Sequence, residues 1–135
     1  MPGISAAFAA ASALGASLTS RGVSRSVVFV TPSTARDGAG NTHWAEAAAA
    51  AETAVIYMGA LQSDVVCNAL TERGVPHRRP VALIESASTA NERIVRGVLG
   101  DLPALVSELG DGPSIMIIGD AVAEARAAIA EASAA

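Results

Sequence analysis

Side chains able to do chemistry on their own are sparse in this sequence, and their spacing speaks against most familiar centres. The one cysteine, Cys67, has no histidine and no second cysteine at ligand spacing, so neither a zinc site nor an activated thiol is built around it. His43 falls in a loop and His77 in the polar linker Pro76-His77-Arg78-Arg79-Pro80; neither has the partners of a catalytic triad or a metal site. No catalytic residue and no metal ligand is assigned. The informative stretch is Pro80 to Gly97, where two strand-like runs, Val81 to Ile84 and Ile94 to Leu99, flank the small and polar residues Ser86 to Asn91. That connection is shorter than the roughly dozen residues a parallel crossover requires, so the two strands pair antiparallel. Small side chains there let a ligand approach the backbone, and Glu85, at the end of the first strand, is placed to brace the loop.

Around this hairpin the sequence predicts an α/β domain. An alanine-rich helix from about Ile4 to Leu14 presents Ile4, Phe8 and Ala11 on one face and stops at Gly15. Val27 to Thr31 is continuously apolar, the pattern of a strand covered on both faces, and Pro32 ends it. Thr34 to Thr42, with Gly38 and Gly40, has the composition of a mobile loop, after which Trp44 opens a second alanine-rich helix and anchors it to the core. Thr53 to Gly59 is the second buried strand. Met58 stands where that strand turns toward the next helix, at the carboxyl end where ligands of open α/β sheets gather; taken by itself it reads as core packing. The helix from Leu61 to Arg73 buries Val65, Val66, Ala69 and Leu70, leaves Cys67 outside that arc and stops at Gly74. Asp101 to Leu109 is a short helix, Ser114 to Ile118 the last buried strand, and Asp120 opens a closing helix. Five strands and about five helices make an α/β three-layer sandwich with a mixed five-stranded sheet.

Composition narrows the function. The 135 residues form one domain with room for a real core. Hydrophobic residues make up 51% and mean hydropathy is +0.42, but the excess is alanine in blocks broken by charges, and no run approaches the roughly 18 apolar residues of a membrane span. No basic region precedes an apolar one at the start, so no signal peptide is read, and a single cysteine suits the cytoplasm. Net charge is −4, all nine basic residues are arginines, and aromatics are 3%. An acidic chain without a basic patch or stacking platform is not a nucleic-acid binder.

The segments PGISAAFAAASALGASLTSRG, SVVFVT, TAVIYMG, PVALIESASTANERIVRGVLGDL and PSIMIIGD occur in the order and at about the spacing found in the C-terminal portion of the uroporphyrinogen-III C-methyltransferases, which are tetrapyrrole methylases. The chain resembles that portion over nearly its whole length. The resemblance implies an S-adenosyl-L-methionine site to which this chain contributes Ser5 and Ala6 of the PGIS turn, Met58 of the YMG motif, Ala87 in the hairpin loop and Ser114. It departs from the family at Ser114, where alanine is usual, at Ala90, Asn91 and Glu92 in place of P-x-Q between Thr89 and Arg93, and at Ser20 in place of histidine before Arg21. The family's first domain, with its glycine-rich entry turn and GGDP-type loop, has no counterpart in the sequence. Residues 1–135 are therefore expected to be the C-terminal domain alone, completed by an N-terminal methylase domain.

The chemistry so implied is methyl transfer from S-adenosylmethionine to two ring carbons of uroporphyrinogen III, giving precorrin-2 on the way to sirohaem and cobalamin. In the family an acid and a lysine of the first domain manage the substrate's protons, and this chain has no lysine. The many carboxylates of the tetrapyrrole suit arginine, with Arg21 and Arg25 as the candidates for substrate binding. The resemblance also implies a homodimer, and an isolated chain without turnover. Two other readings stay open: a methylase acting later in corrin synthesis, and a non-catalytic α/β dimerisation module.

Overall fold

The computed structural model describes residues 2–32 and 42–125. Helix α1 (Ala6–Leu14) leads to strand β1 (Val27–Val30), followed by α2 (His43–Ala50), β2 (Thr53–Tyr57), α3 (Ser63–Glu72), β3 (Pro80–Glu85), β4 (Arg93–Val98), α4 (Leu102–Val106) and β5 (Ser114–Gly119), with residues 120–125 helical again. The loop expected over Thr34 to Thr42 lies, but for Thr42, outside the described residues, as does the part of the expected closing helix beyond residue 125.

One mixed sheet holds all five strands in the order β1-β2-β5-β3-β4. β1 and β2 are parallel, β5 runs antiparallel to both β2 and β3, and β3 and β4 form the expected hairpin. The inner strands β2, β5 and β3 are buried along nearly their whole length, because helices cover both faces and leave no position for alternating polar residues. One core layer, with Ile56, Leu70, Leu83 and Leu102, lies under α2, α3 and α4; the other, with Leu14, Val55, Ile84 and Ile117, lies under α1 and the 120–125 helix. The three-layer α/β sandwich is thus as expected, and Trp44 does pack against the first core layer.

Several local expectations are corrected. The face that α1 buries is Ala7, Ala10, Ala11 and Leu14, while Ile4 precedes the helix and Phe8 is 55% exposed. Alanines let the helix backbone sit close to β3 and β5, and this rotates Phe8 outward, where its ring meets Phe29 edge to face at 6.0 Å. β1 is not covered on both faces: it is an edge strand, and Phe29 is 44% exposed. His43 is the first residue of α2 rather than a loop residue. Helix α3 is turned by one position from its expected arc, so that Val65 is exposed and Cys67 is buried.

Burial of Cys67 has a chemical consequence. Its thiol donates to the carbonyl of Leu99 at 3.3 Å, and burial, reinforced by the Asp64 and Asp101 carboxylates, pushes its pKa up. A protonated, enclosed thiol is a poor nucleophile. Native protein is expected to resist a colorimetric disulfide reagent that titrates one thiol per chain in denaturant; rapid reaction under native conditions would contradict the packing.

Candidate functional site

Strands β1, β2 and β3 run in the same direction, so their carboxyl ends share one edge of the sheet. At that edge Tyr57 of β2 pairs with Ile115, and Glu85 of β3 pairs with both Ser114 and Arg93. The N-terminus of α1 arrives at the same place. Ser5 caps that helix, accepting the Ala7 N–H at 3.3 Å, and its hydroxyl also hydrogen-bonds the phenol of Tyr57. The following residue, Met58, has a left-handed φ of 55° and is 63% exposed, so its side chain leaves the core. Core packing, the reading of Met58 by itself, is overturned by the backbone turn that ends β2.

Between the start of α1 and the β3–β4 loop lies a largely apolar cavity of about 360 Å³, lined by Ala6, Ala9, Ile84, Ala87, Pro113 and Ser114 among others. Ala6 and Ala9 of α1 and Ala87 of the β3–β4 loop present only methyl groups to it. Ser86, Thr89 and Asn91 add polar groups at its rim. Ser86 (φ 50°) and Ser88 (φ 66°) hold the loop in a conformation unusual for side-chain-bearing residues, and with Met58 they are the described non-glycine residues of positive φ. Their gathering at one sheet edge marks a built feature. The Thr89 hydroxyl closes the turn, donating to the Ser86 carbonyl at 2.7 Å and accepting from the Asn91 N–H at 3.2 Å. A second, open and polar cavity of about 500 Å³ meets the first at Ser86 and Asn91, and Glu85, Glu92, Arg93 and Asp111 are among its lining residues.

Of the residues assigned from sequence, Ala6, Ala87 and Ser114 meet around one cavity; Ser5 precedes Ala6 and bonds Tyr57, and Met58 follows Tyr57 at the same sheet edge without lining the cavity. Arg21 and Arg25 do not join them. Arg25 stands before the amino end of β1 and beside Glu52, about 16 Å along the sheet from Tyr57. There its guanidinium reaches Glu52 at 3.3 Å, its side chain 88% exposed, and Arg21 is exposed in the preceding turn. The backbone N–H of Arg25 holds the Glu52 carboxyl below the usual range; desolvation opposes it, and the Arg25 guanidinium adds to the lowering. Sequence reasoning missed Tyr57, Ala9, Asn91 and Pro113. A phenol ending an otherwise apolar strand was the available signal for Tyr57; the others are brought in only by the fold. Among the described residues no group of His, Cys, Asp and Glu is arranged to hold a metal ion, and no helix is long and apolar enough to cross a membrane.

Residues 1–103 match the family model of the Tetrapyrrole (Corrin/Porphyrin) Methylases. The chain belongs to the tetrapyrrole methylases. This methylase chain is 38% identical over 123 residues to the siroheme synthase of Pseudomonas fluorescens (strain Pf0-1), covering 90% of its own length and 26% of the relative. The uroporphyrin-III C-methyl transferase of Thermus thermophilus, in a structure complexed with S-adenosylhomocysteine, superposes with a TM-score of 0.75 at 25% identity over 90% of this chain and 52% of that one. A cobalt precorrin-4 methyltransferase shares the fold with a TM-score of 0.78 at 24% identity, over 90% and 51% of the two chains. The methylase chain therefore spans about a quarter of the curated relatives it matches and about half of these solved structures.

Proposed function

We propose that this chain is the C-terminal domain of a uroporphyrinogen-III C-methyltransferase and supplies the C-terminal part of its S-adenosylmethionine site, the reaction leading to precorrin-2. The observation that carries this reading is the cavity walled by Ala6, Ala87 and Ser114. Its volume is in the range of small-molecule sites, and its small apolar walls with a polar rim suit a purine and its ribose. Support also comes from the likeness of the T. thermophilus enzyme held with S-adenosylhomocysteine, and from the 38% identity to a siroheme synthase.

Bound S-adenosylmethionine supplies an electrophilic methyl group on sulfur. The part left to these residues is positioning: the nucleophilic carbon has to lie in line with the bond that breaks, and rigid alanine walls restrict how the ligand can sit. Ala6 and Ala9 at the start of α1 would hold one side of the ligand, and the Ser86–Thr89 turn with Ala87 the other. The exposed side chains of Ile4, Met58 and Leu61 form the surface that an N-terminal methylase domain would cover, enclosing the ligand between domains and excluding water. That domain would also bring the lysine this chain lacks, so the chain alone is expected to have no turnover. Arg21 and Arg25, at the far end of the sheet, could meet a tetrapyrrole carboxylate only in a larger assembly such as the homodimer.

The test is a calorimetric titration of S-adenosylhomocysteine into the chain, with and without a family-type N-terminal methylase domain added as a separate polypeptide. Binding is expected only in the mixture. No binding by domains shown to associate would overturn the reading in favour of a non-catalytic module, and precorrin-2 formation by the chain alone would overturn the division of labour.

A further inference from the structure

Glu85 is only 4% exposed. It shares a face of β3 with Val81 and Leu83, opposite the face of Ala82 and Ile84 that looks toward the cofactor cavity. Removing a carboxylate from water is costly, and a single partly exposed ion pair does not repay it in stability. Its placement is better explained by what it holds. One carboxylate oxygen, Oε1, accepts the Gly112 N–H at 2.9 Å. The other, Oε2, lies 3.9 Å from Nε of Arg93, whose Nη1 donates to the Glu108 carbonyl at 2.8 Å. Both contacts grip the connection between α4 and β5.

That connection is shaped around the carboxylate. A Cβ on Gly110 would stand 3.0 Å from Oε1, and one on Gly112 would collide with the Ser86 hydroxyl. The residue that follows β3 makes the adjoining contact, since the Ser86 N–H donates to the Pro113 carbonyl at 2.8 Å. Glu85 and Ser86 thus hold Gly112 and Pro113, residue beside residue. One step further on each chain segment stand Ala87 and Ser114, which face the cavity.

We propose that Glu85 is a positioning residue for cofactor binding: it fixes residues 110–113 against the β3–β4 loop, with Arg93 as second anchor, so that Ala87 and Ser114 bound a cavity formed before the ligand arrives. The inference rests on the reading of that cavity as part of an S-adenosylmethionine site. Neither side chain touches the ligand in this scheme. Their effect is on affinity, through preorganisation of the walls.

The experiment titrates S-adenosylhomocysteine into the chain mixed with the N-terminal methylase domain, for the unmodified chain and for Glu85→Ala, Glu85→Gln, Arg93→Met and Val66→Ala, with amide hydrogen exchange on each. Glu85→Ala is expected to weaken binding about tenfold and to speed exchange at Gly112 and Ser86 selectively, while Glu85→Gln, which keeps an acceptor for Gly112, stays within about threefold of the unmodified protein. Arg93→Met, a change at a half-exposed side chain that spares the core, is expected to lose about threefold and covers the case in which Glu85→Ala does not fold. Val66→Ala lowers the melting temperature from the core under α3 and should leave affinity unchanged. Unmodified affinity in Glu85→Ala and Arg93→Met, or losses that track melting temperature across all variants, would overturn the proposal. An unmodified mixture that binds no ligand would overturn the parent reading and this inference with it.

Discussion

Ala87→Phe is expected to lower the affinity of the assembled site for S-adenosylhomocysteine by about a hundredfold or more, with the domain melting close to its unmodified temperature. Ala87 is half-buried on the wall of the 360 Å³ cavity, in a loop whose left-handed residues Ser86 and Ser88 leave little freedom to move the Cα away. A phenyl group there has open space to enter, so it need not strain the core, and the space it enters is the space the ligand requires. Calorimetry and a thermal melt read the two effects separately. As a control, Ala104→Phe on the exposed side of α4 adds the same ring away from the cavity and should change neither. Tight binding retained by Ala87→Phe would place the ligand elsewhere on the domain and would remove the main support for the functional reading.

Gly119→Val is expected to cost about 3 kcal/mol of stability or more, a fall of about 10 °C in melting temperature, without altering ligand affinity in the fraction that stays folded. Gly119 ends β5 with φ 154°, paired to Thr53 at the end of the sheet far from the cavity. A Cβ at this position would stand 2.6 Å from the Glu52 carbonyl oxygen and 3.2 Å from the Thr53 Cα. Those are backbone atoms at the start of the neighbouring strand and just before it, and they cannot swing aside as a side chain can. The strain would also reach a buried polar pair, because the Thr53 hydroxyl shares a 2.7 Å hydrogen bond with that of Ser24, which itself contacts the Ser26 carbonyl at 3.1 Å. Thr53→Val, which removes one member of this pair and adds no bulk, is expected to cost about 1 kcal/mol. Equal melting temperatures for Gly119→Val and the unmodified protein would show that the β2–β5 register can relax in a way the structure does not suggest.

Which parts of this protein were legible in the chain follows from how far each signal reaches. The inner strands announced themselves, since runs such as Val81 to Ile84 and Ile115 to Ile118 are apolar at every position and have no other use than burial on two faces. The hairpin was legible for a different reason: its loop is too short for any crossover, so chain length alone forced antiparallel pairing. Gly15 was readable as a stop, and it takes the left-handed conformation, φ 73°, that a helix end demands. The resemblance drawn from five ordered segments gave the family and put Ala6, Ala87 and Ser114 on a common list.

Side-chain direction was not legible to the same degree. In α1 the alternatives differ by a rotation of about one residue, and its two large side chains, Phe8 and Leu14, stand on different faces, so contact with β3 and β5 decided that Ala7, Ala10 and Leu14 point inward and Phe8 outward. The same one-residue rotation buried Cys67 and exposed Val65. Whether a strand is central or at an edge depends on sheet order, which joins β5 between β2 and β3 over a long separation; no local pattern in Val27 to Val30 carries that information.

The sequence by itself determined the α/β class, the antiparallel hairpin, the family and the small residues offered to a ligand, because these rest on residue type and on spacing along the chain. Only the tertiary structure decided that Ala6, Ala87 and Ser114 share one cavity, that Arg21 and Arg25 stand away from it, and that Glu85 grips Gly112 across 27 positions. Such pairings are set by strand order and register, and register is fixed by packing of the whole sheet against two layers of helices rather than by any segment alone.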